Sequence, residues 1–206
     1  MEKDRLLLCT VLLIFSVPGI FTNTDLGGKA FVFSKLSANS HVLLKPNLDQ
    51  SLRQLTLCLR FFTDLTRSFS LFSAASRYQD NEILLWRNPH GFEVCVGGEC
   101  AVFIMPNPSD RSAIRWRLPR KGSARGSGVK TDLMVMLGLE QDSYGGCFDV
   151  KQSFVGEIAE VSLWDKVLTA KGVNKTQLPG ASKPLLDWTS LKFQIQGDIV
   201  IIMKKL

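Results

Sequence analysis

Leu55-Thr56-Leu57-Cys58-Leu59-Arg60-Phe61-Phe62 is the stretch of this 206-residue chain from which the fold is most directly read. Leu55, Leu57, Leu59 and Phe61 occupy every second position with Thr56, Cys58 and Arg60 between them, the period of a strand with one buried face. No comparable stretch holds a helical period. Working outward, short β-like runs recur at Ala30 to Phe33, His41 to Leu44, Phe69 to Phe72, Glu82 to Trp86, Phe92 to Val96, Leu133 to Leu137, Phe154 to Trp164 and Leu191 to Met203. Gly, Pro, Asn, Asp and Ser separate them. One short helix is expected over Val167 to Gln177, weakened by Gly172 and β-branched Val173. Many short strands with turn signals between them predict an all-β fold, an antiparallel two-sheet sandwich or jelly roll.

The N-terminus has a separate purpose. Five mostly charged residues precede an apolar run from Leu6 to Val17, too short to span a bilayer as a helix and broken by Pro18 and Gly19. Residues 1–22 therefore read as a signal peptide and 23–206 as one secreted, extracellular domain. Glu2 and Asp4 cancel Lys3 and Arg5, so the formal charge of +6 belongs to the mature chain. Much of it lies between Asp110 and Lys130, where Arg111, Arg115, Arg117, Arg120, Lys121 and Arg125 cluster. Such a run is either a solvated loop or edge strand, or a patch for a heparin-like polyanion.

Of five cysteines, Cys9 goes with the leader and Cys58, Cys95, Cys100 and Cys147 remain. An oxidising destination favours disulfides, and one pairing follows from local geometry. Gly97-Gly98 reads as a two-residue hairpin turn, which sets Val96 against Glu99 and Cys95 against Cys100 with Cα atoms about 4.5 Å apart. Asn174-Lys175-Thr176 is an acceptor for N-glycosylation.

The chemistry concentrates in Leu137-Gly138-Leu139-Glu140-Gln141-Asp142-Ser143-Tyr144-Gly145-Gly146-Cys147-Phe148-Asp149, with Gln152 after it. Two carboxylates, intervening carbonyls and a Gly-Gly bend offer hard oxygen ligands on a curved loop, as calcium requires. Asp80-Asn81-Glu82 offers more from elsewhere in the chain. An enzyme is not expected. The further carboxylate that a glycosidase needs beside Glu140 and Asp142 would fall at position 145, a glycine. His41 and His90, the two histidines, stand near turn residues without a catalytic neighbour.

Glu140 to Gly146, Gln152-Ser153-Phe154-Val155-Gly156-Glu157-Ile158 and Leu163-Trp164-Asp165 together resemble the most specific block of the pentraxin family. Leu26 to Phe33, Leu55 to Cys58, Ser70 to Ser73, Asp80 to Leu84 and Asp187-Trp188 through Gln196-Gly197 extend the resemblance over nearly the whole mature chain. It implies a flattened jelly roll of the concanavalin and laminin-G kind, two calcium ions per protomer, and a homo-oligomeric, usually pentameric, ring. Carried onto this sequence, Asp80, Asn81, Glu140, the main-chain carbonyl of Gln141, and Asp142 hold one ion. Glu140, Asp142 and Gln152 hold the other. The implied function is calcium-dependent pattern recognition: binding of phosphocholine, phosphoethanolamine or an anionic polysaccharide on microbial or damaged-cell surfaces, with complement recognition as a family implication. Trp86 matches the hydrophobic ligand contact. Cys95 and Cys100 replace the small polar and acidic residues that face it, and Glu99 stands next to the lost acid.

One departure is large. After Met105-Pro106 the family continues through a His-x-Cys-x-Ser/Thr-Trp strand and one more, whereas here Asn107-Pro108-Ser109-Asp110 leads almost directly to Ile114-Arg115-Trp116. Roughly 15 to 20 residues, about two strands, are absent. Cys58 thereby loses the cysteine that the resemblance pairs with it, and unpaired edges with exposed apolar faces are expected. A differently closed sandwich, a shortened splice form or faulty gene prediction, and a decaying non-functional copy each fit this departure.

Overall fold

The computed structural model describes residues 20–104, 128–169 and 183–204. Besides two short 3-10 turns, Val150–Gln152 and Trp188–Ser190, the described residues form twelve strands: β1 (Thr22–Thr24), β2 (Lys29–Phe33), β3 (His41–Leu44), β4 (Thr56–Phe62), β5 (Phe69–Ala75), β6 (Ile83–Asn88), β7 (Gly91–Val96), β8 (Glu99–Ile104), β9 (Met134–Leu137), β10 (Gly156–Trp164), β11 (Leu191–Gln196) and β12 (Ile199–Met203). All pairings are antiparallel. They form an eight-stranded sheet in the order β1-β11-β3-β9-β5-β6-β7-β8 and a four-stranded sheet in the order β12-β2-β10-β4. The predicted all-β, two-sheet sandwich is therefore the fold.

Between the sheets runs a spine of aromatic rings. Phe31 meets Trp188 and Phe193 edge-on at 5.4 and 5.0 Å, Phe33 meets Phe154 at 5.5 Å, and Phe61 packs against Phe69, Phe92 and Phe154. Such edge-to-face pairs add to the gain from burying large apolar surfaces. Phe154 matters doubly, because it follows the acidic loop directly and anchors that loop's end in the core.

Two expectations change. Leu191 to Met203 is not one strand: β11 belongs to the large sheet and β12 to the small one. The chain switches sheets at Gly197, whose φ of 72° and close approach to Ser40 leave no room for a side chain. β4 is buried on both faces through Leu59 rather than on one, because the segment after β10 covers it; Thr56 Oγ1 donates to Lys166 O at 2.7 Å and accepts from Leu168 N at 3.0 Å. Of the expected helix, Val167 to Thr169 are irregular and the rest lies outside the described residues, as do the basic residues from Arg111 to Arg125, Asn174 and most of the expected signal peptide.

At two sheet edges the described residues have few partners. Among the described residues β4 pairs only with β10, and β8 only with β7. Phe103, set across from buried Phe92, is nonetheless 43 % exposed, and Val102 and Ile104 beside it are exposed too.

Candidate functional site

The acidic loop begins where β9 ends. Gly138, at φ 88°, turns the chain back over the outer face of the large sheet, and a Cβ there would strike the Phe33 ring. Phe154 N donates to Gly138 O at 2.8 Å and closes the loop on itself. Inside it, Ser143 bridges Gly146 across a Tyr144-Gly145 turn, while Arg77 stacks on the Tyr144 ring at 4.9 Å.

Gln141 fixes the loop to the sheet. Its side chain is fully buried: Nε2 donates to Met134 O at 3.0 Å and to Ser73 Oγ at 3.2 Å, and Oε1 accepts from Gly145 N at 3.0 Å. One amide thus ties β9, β5 and the far side of the loop together. The sequence assigned Gln141 a backbone role only; its side chain is the strut that holds Glu140 and Asp142 in place.

The connection between β5 and β6 brings the second set of ligands. Ser76 Oγ accepts from the backbone N–H groups of Tyr78 and Gln79 and donates to buried Glu82 at 2.9 Å, which shapes the turn. Asp80 Oδ1 accepts from Asn81 N at 2.9 Å. Gly97 N and Gly98 N, from the β7–β8 turn, donate to Glu82 O and Asn81 O. Gln152 arrives on a short 3-10 turn, Val150–Gln152, capped by Asp149. Arg67, which nothing in the sequence singles out, clamps this turn by donating to Lys151 O at 2.7 Å and Ser153 O at 2.6 Å.

The electrostatics link the acidic loop to Asp80 of the β5–β6 turn. Burial, then the negative charges of Asp142, Asp80 and Glu93, push the Glu140 carboxyl up to about 7. Burial, Asp80 and Asp149 likewise raise Asp142. Carboxylates so placed repel one another unless a cation lies among them. Two amide oxygens point the same way: Asn81 Oδ1 and Gln152 Oε1 are buried without a hydrogen-bond partner. Such atoms are uncommon in native structures, and a bound ion is one way of satisfying them. Both belong to the ligand set that the resemblance implies, so the residues present fit calcium.

Beside this cluster, on the same outer face, lies the β6–β7–β8 hairpin surface. Trp86 is half-buried and stands across from Ser70 on β5 and Glu93 on β7. Cys95 and Cys100 face each other and are disulfide-bonded, with Cα atoms 4.0 Å apart, around the Gly97-Gly98 turn where both φ angles are positive. Cys58 and Cys147 are thiols. Glu93, Cys95 and Cys100 come within 4.8 Å of one another, but the two sulfurs are spent on each other and cannot ligate a metal.

Glu99 does not join this surface. Its cross-strand neighbour is Val96, a core residue, so strand alternation points Glu99 away from the face that holds Trp86 and the disulfide. Glu93 occupies that face instead. The signal for it was available, since a residue two before Cys95 on one strand shares its face.

Comparison with known proteins identifies the family. The sequence model of the Pentaxin family matches residues 29–116 and 112–203. Mucosal pentraxin of Bos taurus is 40 % identical, the alignment covering 98 % of both chains; human C-reactive protein is 38 % identical over 97 % of this chain and 96 % of its own. Bovine serum amyloid P-component is 36 % identical over 95 % and 96 %. The alignment to mucosal pentraxin runs over 219 positions against 206 residues here, so that relative carries at least 13 residues that this chain lacks. The family model breaks at 112–116, next to the point where the missing strands were expected. A heptameric SAP-like pentraxin from Limulus polyphemus has the same fold, with a TM-score of 0.65 at 18 % identity over 88 % of this chain and 97 % of its own. With its sheets, its loop and its relatives all in accord, the chain belongs to the pentraxin family.

Proposed function

We propose that the chain is a secreted, calcium-dependent recognition protein without catalytic activity, which binds an anionic headgroup or glycan through ions held between its acidic loop and the β5–β6 turn. The observation that carries this reading is the pair of buried, unpartnered amide oxygens, Asn81 Oδ1 and Gln152 Oε1, in the same ligand set as Glu140 and Asp142, whose proton affinity burial and neighbouring negative charge raise. Asp80, Asn81, Glu140, the Gln141 carbonyl and Asp142 hold one ion; Glu140, Asp142 and Gln152 hold a second. Calcium supplies an electropositive surface for phosphate or carboxylate oxygens. The protein's own residues orient it: Gln141 fixes the acidic loop and Arg67 the turn that carries Gln152.

The ligand's other end lies along the hairpin. Trp86 offers an apolar, π-rich wall and Glu93 a negative charge across from it, a combination suited to an organic cation such as the choline of phosphocholine. Glu93 takes the part first assigned to Glu99. A homo-oligomeric ring multiplies weak single-site binding on a repetitive surface. Thr22, the last residue of the expected signal peptide, ladders with Phe193, and its hydroxyl donates to Phe193 O at 3.2 Å.

The test is retention of the purified chain on phosphocholine and anionic-polysaccharide resins in millimolar calcium, followed by elution with chelator. Release by chelator and loss of retention in Asn81→Ala support the reading. Retention that ignores chelator and falls steeply with salt would instead identify a polyanion binder working through basic residues.

A further inference from the structure

Bonded to each other, the sulfurs of Cys95 and Cys100 ligate nothing, yet their placement does not depend on that bond. The two residues are partners in a ladder of six residue pairs that joins β7 to β8, from Gly91 with Ile104 to Val96 with Glu99. Gly97 and Gly98, at φ 60° and 78°, close the ladder with a two-residue hairpin turn that needs no cross-link. The bridge spans only five positions in sequence, so it constrains the unfolded chain less than a bridge over a long loop does. With the bond opened, backbone pairing still sets the two thiols side by side.

A third donor is already in place. Glu93 shares the face of Cys95, and its Oε1 lies 4.0 Å from Cys95 Sγ. One oxygen of Glu93 and both sulfurs fall within 4.8 Å of one another. Ligand atoms around a tetrahedral zinc ion, bonded at about 2.3 Å to sulfur and about 2.1 Å to oxygen, stand about 3.6–3.8 Å apart, so rotations of the three side chains suffice to gather them. Leu84, Trp86 and Val102, cross-strand neighbours of Cys95 and Glu93, flank the cluster with apolar side chains. Cys95 is buried and Cys100 exposed, so solvent enters from the Cys100 side. Two sulfurs and one carboxylate oxygen with an open fourth position suit zinc or cadmium. They do not suit calcium, which takes six to eight oxygens.

We propose that Glu93, Cys95 and Cys100 form a latent metal site, which a low-molecular-weight thiol opens by reducing the disulfide and which then binds a zinc-like ion. The reductant's sulfur attacks the exposed sulfur of Cys100; a mixed disulfide forms there, and Cys95 leaves with the reductant's proton. A second reductant thiol attacks the reductant sulfur of the mixed disulfide and frees Cys100. Two reductant thiols thus become one disulfide, and the chain gains two electrons and two protons. Binding the dication returns those two protons to solvent. The site shares no donor with the calcium ligands proposed above and stands or falls apart from them.

The full secreted chain carrying Cys147→Ser, which removes the other exposed thiol, is incubated with excess reduced glutathione, desalted without oxygen and titrated with cadmium in excess calcium. Calcium fills the oxygen sites, and the ultraviolet charge-transfer band of a cadmium–thiolate bond reports sulfur ligation alone. The band should saturate at one cadmium per chain, yield to added zinc, and be missing from the same chain never reduced, which still holds the Cys58 thiol. Cys100→Ser should lose it. Glu93→Gln should weaken binding by about tenfold or more, the least that even outer-shell changes typically cost. If Cys100→Ser is not secreted, Glu93→Gln, which keeps both cysteines, still decides. The proposal is overturned by an equal band without reduction, by no band after it, or by a Glu93→Gln titration that matches the parent's.

Discussion

Exchanging Glu140 for Gln removes a carboxylate from a site crowded with Asp80, Glu93 and Asp142, and stability should respond with opposite signs without and with calcium. In calcium-free buffer the folded chain holds the Glu140 proton more tightly than the unfolded chain, at about 7 against 4.5. The contribution of that group is thus full below pH 4.5 and is lost as the pH rises through 7. The whole shift corresponds to about 3 kcal/mol. Glu140 is part-exposed, so solvent screening reduces the figure to about 1–2 kcal/mol. Glu140→Gln should accordingly unfold about 2–8 °C higher than wild type at pH 8 and level with it at pH 4.5. Only the difference between the two proteins is informative. Burial holds His41 down to about 4, so His41 makes both less stable as the pH falls from 6.5, against the trend from Glu140. In calcium the order reverses. A ligand that binds only the native state at 100 times its dissociation constant adds about 2.7 kcal/mol, and the variant forfeits this because Glu140 is shared by both proposed ions. Differential scanning fluorimetry across pH 4.5–8, with and without calcium, measures all of it. A variant no more stable than wild type at pH 8 without calcium, and still stabilised by calcium, would refute the reasoning.

Three further substitutions each change one side chain's contacts. Gln141→Leu leaves the Gly145 amide without its acceptor and cuts the tie to Met134 O; a loss of about 1–3 kcal/mol in urea unfolding is expected, with a weakened response to calcium although no carboxylate has changed. Phe154→Ala removes the ring that touches Phe33, Phe61 and Phe69 and should cost about 3–5 kcal/mol, measured as a fall in the urea midpoint. His41→Phe keeps the contact with Phe148 and removes the buried imidazole, so the loss of melting temperature between pH 6.5 and 4 should shrink relative to wild type.

The strand period of Leu55 to Phe62 was legible because alternation survives whatever covers the other face. The covering itself was not, since Thr56 is held by a segment more than a hundred residues away. The Cys95–Cys100 bridge could be read because a Gly-Gly hairpin fixes its own register. Leu191 to Met203 misled because apolar content runs through it, and only Gly197, pressed against Ser40, marks the change of sheet. At the site, carboxylates announced themselves by type and spacing. Gln141 and Arg67 did not, because a glutamine strut and an arginine clamp look like any other polar residue until the backbone groups they hold are in view. Glu99 was chosen by adjacency in sequence, whereas faces of a strand are shared by residues two apart.

The candidate ligands come from three separate parts of the chain: the β5–β6 turn, the loop after β9 and the turn at Gln152. Gln141 can hold that loop only once β9 lies beside β5, strands that are far apart in sequence. No fragment contains the site, so a cation has little to bind until the large sheet is assembled. Interactions formed that late change the rate of unfolding rather than of folding. Calcium should therefore act on this chain as a lock applied after closure, lengthening the lifetime of the folded protein while leaving the pace of refolding unaltered.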